Sequence, residues 1–506
     1  VFETPLIEHQ GHFQWPDYAA LAAYLVMLVF IGMRFARRQR ITEDYFLGGR
    51  RMIWWAVGLS IFSTELSAIT FMAIPAKSYS SDWVFLPGNM MIPAIAPLVV
   101  FLYLPFFRKI EITTAYEYLE KRFNLAARLV GAAAFIAFQL GRMAIVLFLP
   151  ALALATVTGV NIHGCILAMG LIATTYTAIG GIEAVIWIDA LQTFVLLGGA
   201  VLSVFFMAAG VDGGLAGIAS TAAAEGKFRL AELSWDATAA SLWVMLLGSA
   251  LTKLVNYTSD QTVVQRYLST STRRQAANAI WTGALMAIPS SLLFFFVGTA
   301  LWAFYRQNPA LLADSARIDD IFPYFIARQL PAGVSGLVIA GLFAASMSSL
   351  DSSINSMATV VTSDFYRRLR RGASERSCML LARILTVVFG AVGTASAVCL
   401  ALLKDASMFE RYLAIVGLLG GGLAGMFAAG IFTRRVNAAG VLAGFAASAV
   451  VLYIVKTGDI VHFLLFAAVG IACCVAVGWL VGVLAPSGKR TADALTIYGY
   501  NRELAE

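Results

Sequence analysis

Ile61-Phe62-Ser63-Thr64-Glu65-Leu66-Ser67-Ala68-Ile69-Thr70 decides how this chain folds. It lies inside an apolar run near 52–76, long enough for a helix to cross a bilayer. Five polar residues, Ser63, Thr64, Glu65, Ser67 and Thr70, crowd the middle of that run. A straight spanning helix gains nothing from them. An unwound segment does, because its free carbonyls bind a cation and its half-helix ends face a solute. The pattern recurs at Asn256-Tyr257-Thr258-Ser259-Asp260-Gln261, inside a run near 239–265. Polar glue between straight helices is the simpler alternative for such a cluster.

Outward from these two stretches, the chain is almost entirely apolar runs. Thirteen candidates lie near 16–33, 52–76, 83–107, 129–157, 162–180, 183–209, 239–265, 276–305, 331–362, 379–403, 412–433, 437–455 and 460–485. The interrupted runs are five spans apart, which predicts two five-helix repeats of opposite orientation. The first covers about 52–209 and the second about 239–433, with 16–33, 437–455 and 460–485 as extra helices. All 506 residues then form a single transmembrane domain. Composition agrees: 60% of residues are hydrophobic and 13% charged, where a soluble chain carries about 25% charge. That excludes a soluble enzyme, a disordered protein and a nucleic-acid binder. A barrel would alternate along short strands, so the fold class is an all-α polytopic membrane protein.

The net charge of +7 is explained by topology. Of 36 Lys and Arg, 25 fall in loops on one side, including Arg50, Arg108, Arg266, Arg273 and Arg367, and nine on the other. The positive-inside rule then places the C-terminus in the cytoplasm and the N-terminus outside. The five cysteines, Cys165, Cys378, Cys399, Cys473 and Cys474, have neither metal nor disulfide spacing and read as packing residues. Residues 1–15 lack the basic start and apolar core of a signal peptide.

Ionisable groups inside a bilayer are costly and mark function by default. Here they are Glu65, Arg142, Asp189, Lys253, Asp260 and Asp351. Lys253 reads as pairing with a neighbour or snorkelling rather than as a site residue. In the ninth run, Ala345, Ser348, Ser349 and Ser352 share one helix face. Neutral hydroxyl oxygens there suit a small hard cation rather than a transition metal, although a Ser-rich packing face is the plainer alternative.

With these residues in place, the chain resembles the sodium:solute symporter family over nearly its whole length. The resemblance rests on Asp44-Tyr-Phe-Leu-Gly-Gly-Arg, Ile69-Thr-Phe-Met-Ala-Ile-Pro-Ala-Lys, Tyr176-Thr-Ala-Ile-Gly-Gly-Ile-Glu-Ala-Val-Ile-Trp-Ile-Asp189, Asp260-Gln-Thr-Val-Val-Gln-Arg-Tyr and the Ser348 cluster. The bacterial sodium/sialic acid branch is the most similar. The resemblance implies a LeuT-type inverted repeat working by alternating access, and one or two co-transported sodium ions. The main sodium site would use Ser63, Leu66, Ala345, Ser348 and Ser349. A second would use Asp189, Ser348, Asp351 and Ser352, with Asp351 standing where that branch has Ser. The substrate pocket would use Glu65, Ser67, Thr70, Phe85, Asn89 and Arg142, joined by Asn256, Tyr257 and Asp260. Glu65 and Leu413 depart from the branch's pattern. If Glu65 pairs with Arg142, a neutral sugar or polyol fits; if they stay apart, a zwitterion or acid sugar fits.

The expected function is sodium-coupled import of a small polar organic solute, a sialic acid, sugar or sugar acid, across a bacterial inner membrane by a monomer embedded in lipid. A proton-coupled symporter, or a sodium symporter for an amino acid or monocarboxylate, is the alternative. A channel would need a continuous polar stripe. An enzyme would need a catalytic constellation, and His9, His12, His163 and His462 lie near termini or span ends.

Overall fold

The computed structural model describes residues 14–36, 39–110, 112–312, 318–370, 372–403, 406–485 and 495–499. The terminal histidines His9 and His12 and most of the N-terminal segment lie outside them. The side chain of Leu413 is likewise not described. Each of the thirteen apolar runs is helical. Among the described residues the sole β-bridge is Met52 with Thr270. It joins the start of the first broken helix to the end of the second.

Among the described residues nine helices are long and apolar enough to cross a membrane, and a tenth crossing is a bent pair, Trp54–Glu65 with Thr70–Ser80, at 58°. One of the nine, Ile162–Ala209, has 48 residues. At 1.5 Å per residue it would be about 72 Å long, more than twice a hydrocarbon core. Gly181 divides it, with φ 56° and ψ −158°. A side chain is excluded there twice over, by the left-handed backbone and by Tyr45 O, 2.8 Å from where a Cβ would stand. The run near 239–265 is also two pieces, Leu242–Thr258 and Gln261–Leu268. Within the linker 210–238 the chain forms a short apolar helix, Gly214–Ala224.

The Val334–Val360 helix is the centre of the bundle. Its most apolar window is 89% buried, against 17% for Trp15–Phe35 at the periphery. Asp17 on that outer helix reaches in to cap it, its Oδ1 accepting from the backbone N–H groups of Gly333 (2.7 Å) and Gly336 (2.8 Å). Such a carboxylate satisfies two of the free donors at a helix start. The Arg273–Gln307 helix crosses the first broken helix closely. At Gly298 an added Cβ would lie 2.3 Å from Pro75 O, so two backbones touch there with no room for a methyl group. The result is a rigid frame of long helices around two interrupted ones.

Candidate functional site

The first interruption follows from its sequence. Trp54–Glu65 ends where Leu66 (φ −87°, ψ 92°) and Ser67 (φ −85°, ψ 165°) turn extended. The Ser67 hydroxyl then caps the next helix, Ala68–Ser80, accepting from the Thr70 N–H. Carbonyls left free by the break are taken up from other helices. Thr64 O accepts from Arg142 Nη2 at 2.8 Å, and Ser63 O from Ser348 Oγ at 3.2 Å.

The second interruption has the same logic. Ser259 and Asp260 leave helical geometry, and the Asp260 side chain caps Gln261–Leu268 by accepting from Thr262 N at 2.8 Å. The same carboxylate accepts from Gln139 Nε2 at 3.1 Å and pairs with Arg142 Nη1 at 3.7 Å. Arg142 therefore bridges both breaks.

The Val334–Val360 helix brings its hydroxyl face to the first break. Ser348 Oγ donates both to Ser63 O and to Ala345 O, each at 3.2 Å. Ser349 Oγ is buried and makes no hydrogen bond among the described residues. A buried polar atom without a partner is uncommon and calls for an explanation. Ser63, Ala345, Ser348 and Ser349 thus gather beside the break at Leu66, with one oxygen unspent.

One turn along lies a denser cluster. Asp189 Oδ2 accepts from Ser60 Oγ at 2.5 Å and pairs with Arg266 Nη2 at 2.9 Å. Arg266 Nε also donates to Ser60 Oγ at 2.7 Å, and its Nη2 to Ser352 Oγ. Asp351 accepts from Tyr176 OH at 2.5 Å and Ser352 Oγ at 3.2 Å, and Ser352 bonds Ser348 O. Asp189, Asp351 and Arg266 are all at most 1% exposed. The one guanidinium thus pairs with Asp189 alone; among the described residues Asp189 Oδ1 has no hydrogen-bond partner and Asp351 forms no ion pair.

Glu65 and Arg142 stay apart, and each has another partner. Glu65 accepts from Asn256 Nδ2 at 2.8 Å and Lys253 Nζ at 3.3 Å, while Arg142 is held by Asp260. A cavity of about 60 Å³ between the breaks is lined by Glu65, Thr70, Asn89, Lys253 and Tyr257, with Ser290 and Ser291 opposite. Of the expected pocket residues, Ser67, Arg142, Asn256 and Asp260 stand behind this lining. Phe85 stands outside it, under the Lys77 ammonium at 5.2 Å.

Two expectations need correction. Lys253 pairs with a neighbour, as expected, but it also lines the cavity, because Glu65 turns it inward. Arg266 is not a loop charge. The helix resumes after Asp260, and six residues on, Arg266 is inside the bundle. The break itself was the available signal, since a span interrupted at mid-depth must continue beyond it.

The family model for the sodium:solute symporter family matches residues 45–447. The chain belongs to the sodium:solute symporter family. It is 39% identical to the sodium/sialic acid symporter NanT of Aliivibrio fischeri, covering 92% of each chain. It is 37% identical to the sodium/sialic acid symporter SiaT of Proteus mirabilis, over 95% of this chain and 98% of that one. The solved substrate-bound, outward-open state of a sodium-coupled sialic acid symporter superposes with a TM-score of 0.89 at 37% identity, covering 94% of this chain and all of that one. The protein is a multi-pass sodium-coupled symporter with the all-α LeuT-type fold, and not an enzyme. Sodium and a small organic solute are its cargo.

Proposed function

We propose that this symporter imports a sialic acid or closely similar sugar acid across a bacterial inner membrane. The observation that carries the cation-coupled part is the unpartnered Ser349 hydroxyl beside the break. Sodium would be held there by the carbonyls of Ser63, Leu66 and Ala345 with Ser348 and Ser349, five neutral oxygens of the kind a hard alkali ion takes. A second sodium would sit among Asp189, Ser348, Asp351 and Ser352. The spare charge of Asp351 supports a cation at this position. A second reading also starts from Asp351: a proton there in place of the second sodium.

For the solute, the support is the cavity lining together with the two sialic acid symporters above. Glu65 and Lys253 present both signs of charge, and Thr70, Asn89, Tyr257, Ser290 and Ser291 present donors and acceptors for hydroxyl and amide groups. Ser67, Phe85, Arg142, Asn256 and Asp260 form the surrounding support, with the Arg142 fork suited to a carboxylate once the breaks separate. A cavity of about 60 Å³ is smaller than a sugar needs, so solute binding requires the two broken helices to part. Thirteen crossings follow if each broken helix is one span, Gly181 separates two, and Ala406–Phe432 is one more. The first repeat then runs about 52–209 and the second about 239–433, the N-terminus lies outside, the C-terminus lies in the cytoplasm, and one chain works alone.

One net charge moved through 100 mV carries about 2.3 kcal/mol, so two sodium ions entering with one anionic sugar acid would concentrate it roughly fiftyfold before any chemical gradient is counted. Uptake of radiolabelled sialic acid into proteoliposomes tests the reading. Accumulation should follow an inward sodium gradient and vanish when potassium replaces sodium. Equal uptake in potassium refutes sodium coupling, and sodium uptake counted per solute separates the second sodium from the proton.

A further inference from the structure

A second cavity, of about 840 Å³, lies at the basic end of the bundle. Its volume is in the range of small-molecule sites, unlike that of the midplane cavity. Four guanidiniums line it, from Arg50, Arg108, Arg273 and Arg367, against two carboxylates, Glu43 and Glu375. They come from four separated parts of the chain: the segment after the first helix, the end of Leu86–Lys109, the start of Arg273–Gln307, and the junction before Glu375–Leu403.

Arg50, Arg108 and Arg367 are braced as follows. Arg108 Nη2 donates to Thr270 O at 2.6 Å, Thr270 Oγ1 at 2.8 Å and Thr272 O at 2.9 Å. These partners are neutral and do not cancel its charge, and its Nε is buried without a hydrogen bond. Arg50 is braced by Glu43 at 3.0 Å and Ile112 O at 3.0 Å, and Arg367 by Glu375 at 2.5 Å. Among the described lining residues guanidiniums outnumber carboxylates four to two. Ser271 and Ser363 add hydroxyls beside them. Braced guanidinium forks are the side chains best matched to carboxylate and phosphate oxygens.

We propose that this cavity binds an oxyanion of sugar-acid size, through a carboxylate or phosphate group, without needing sodium. Three sources share that chemistry: the transported sugar acid after it leaves the midplane, a free phosphate compound, and an anionic lipid headgroup. The size and the hydroxyls favour the first. That source rests on the import reading above; the binding itself does not.

The test uses the full chain in nanodiscs of zwitterionic lipid, in sodium-free buffer, titrated calorimetrically with sialic acid and with inorganic phosphate. A parallel set contains phosphatidylglycerol. The expected result is sodium-independent binding, weakened about tenfold or more by Arg273→Gln or Arg108→Gln, since each removes a charge-assisted contact, and tightened by Glu43→Gln, which removes opposing charge and releases Arg50. Arg108 also braces the Thr270 turn, so Arg273→Gln and Glu43→Gln give the answer if Arg108→Gln fails to fold. Binding of phosphate alone keeps the oxyanion site and assigns it to a phosphate compound. Loss of binding in phosphatidylglycerol discs assigns it to lipid. Absence of sodium-free binding of both anions, or binding unchanged in Arg273→Gln and Glu43→Gln, overturns the proposal. Sodium-free binding in a protein that shows no sodium-driven uptake would instead overturn the import reading and leave the cavity standing.

Discussion

Ser349→Ala separates a cation ligand from a packing residue by the sign of its effect. The Ser349 hydroxyl is buried with no partner, and an unpaired buried polar group costs about 1–3 kcal/mol. Alanine removes that oxygen with little change in volume. Without sodium, the variant should therefore be more stable than the parent, by about 1 kcal/mol or more. For a chain this long that is roughly 1–2 °C in apparent Tm, by extension of the usual size scaling. With sodium that advantage should shrink by about 1.3 kcal/mol, and the order reverses where the sodium-free advantage is smaller than that. At a hundred times Kd the parent gains about 2.7 kcal/mol, whereas a variant bound tenfold more weakly gains about 1.4 kcal/mol at the same concentration. Thermal unfolding in potassium and in sodium, with proteoliposome uptake as the functional readout, measures both. Simple damage would lower stability in both salts and cannot produce a crossing. An unchanged sodium increment, or destabilisation in both salts, refutes the assignment of Ser349.

Lys253→Met strands the Glu65 carboxylate in the cavity. Transport of an anionic solute should then rise at least tenfold in KM, and Glu65→Gln in the same chain should restore part of it, as read from uptake kinetics. Arg266→Leu leaves Asp189 and Asp351 buried with no cation, a loss of about 3–5 kcal/mol, seen as failure to yield monodisperse protein. Lys227 Nζ donates to Tyr79 O at 2.7 Å and Ser81 O at 2.9 Å and lies 4.9 Å over the Trp302 ring. Lys227→Ala should lose about 1–2 kcal/mol by uncapping Ala68–Ser80, measured by thermal unfolding. At the other end of the bundle, burial raises the Glu120 carboxyl, but Arg368 at 2.6 Å and Arg128 at 2.7 Å outweigh it and hold it below the ordinary value of 4.5. Its contribution is present at neutral pH and is lost as pH falls from about 4.5 through the depressed value. Glu120→Gln should flatten that acid limb of the stability profile.

The helical fold and both interruptions were legible because a bilayer allows few solutions. A polar cluster at mid-depth in an apolar run must break the helix or be hidden by neighbours, and Glu65 and Asp260 marked both places. The serine face was legible for the same geometric reason, since residues 345, 348, 349 and 352 follow helical spacing. Pairing was not legible. Glu65 chose Lys253 over Arg142 because its partner is set by how two half-helices cross, and crossing geometry leaves no local trace in sequence. Arg266 was hidden by a different effect. Its neighbourhood reads as a polar loop, and the helix Gln261–Leu268 becomes buried only once the bundle closes around it.

The pairings also bear on how cation and solute are coupled. Glu65 with Lys253 and Asp260 with Arg142 each join a residue at a break to a residue on another helix, and Asp189 with Arg266 ties the resumed half of the second broken helix to the helix beyond Gly181. Removing one partner of a buried pair costs about 3–5 kcal/mol, whereas the intact pair adds little net stability. Such contacts are poor as glue and good as interlocks. A break can open only if something of the right charge takes the place of the partner it leaves. A sugar acid can do this for Lys253 and Glu65 together, because it offers both an anion and hydroxyl donors. Asp351, which has no ion pair among the described residues, would when ionised favour a cation beside it. A solute entering alone would therefore meet a site with a charge still unbalanced one turn away, and a cation entering alone would leave the Glu65 pair closed. Each favours the arrangement that the other needs, and that mutual dependence is what symport requires.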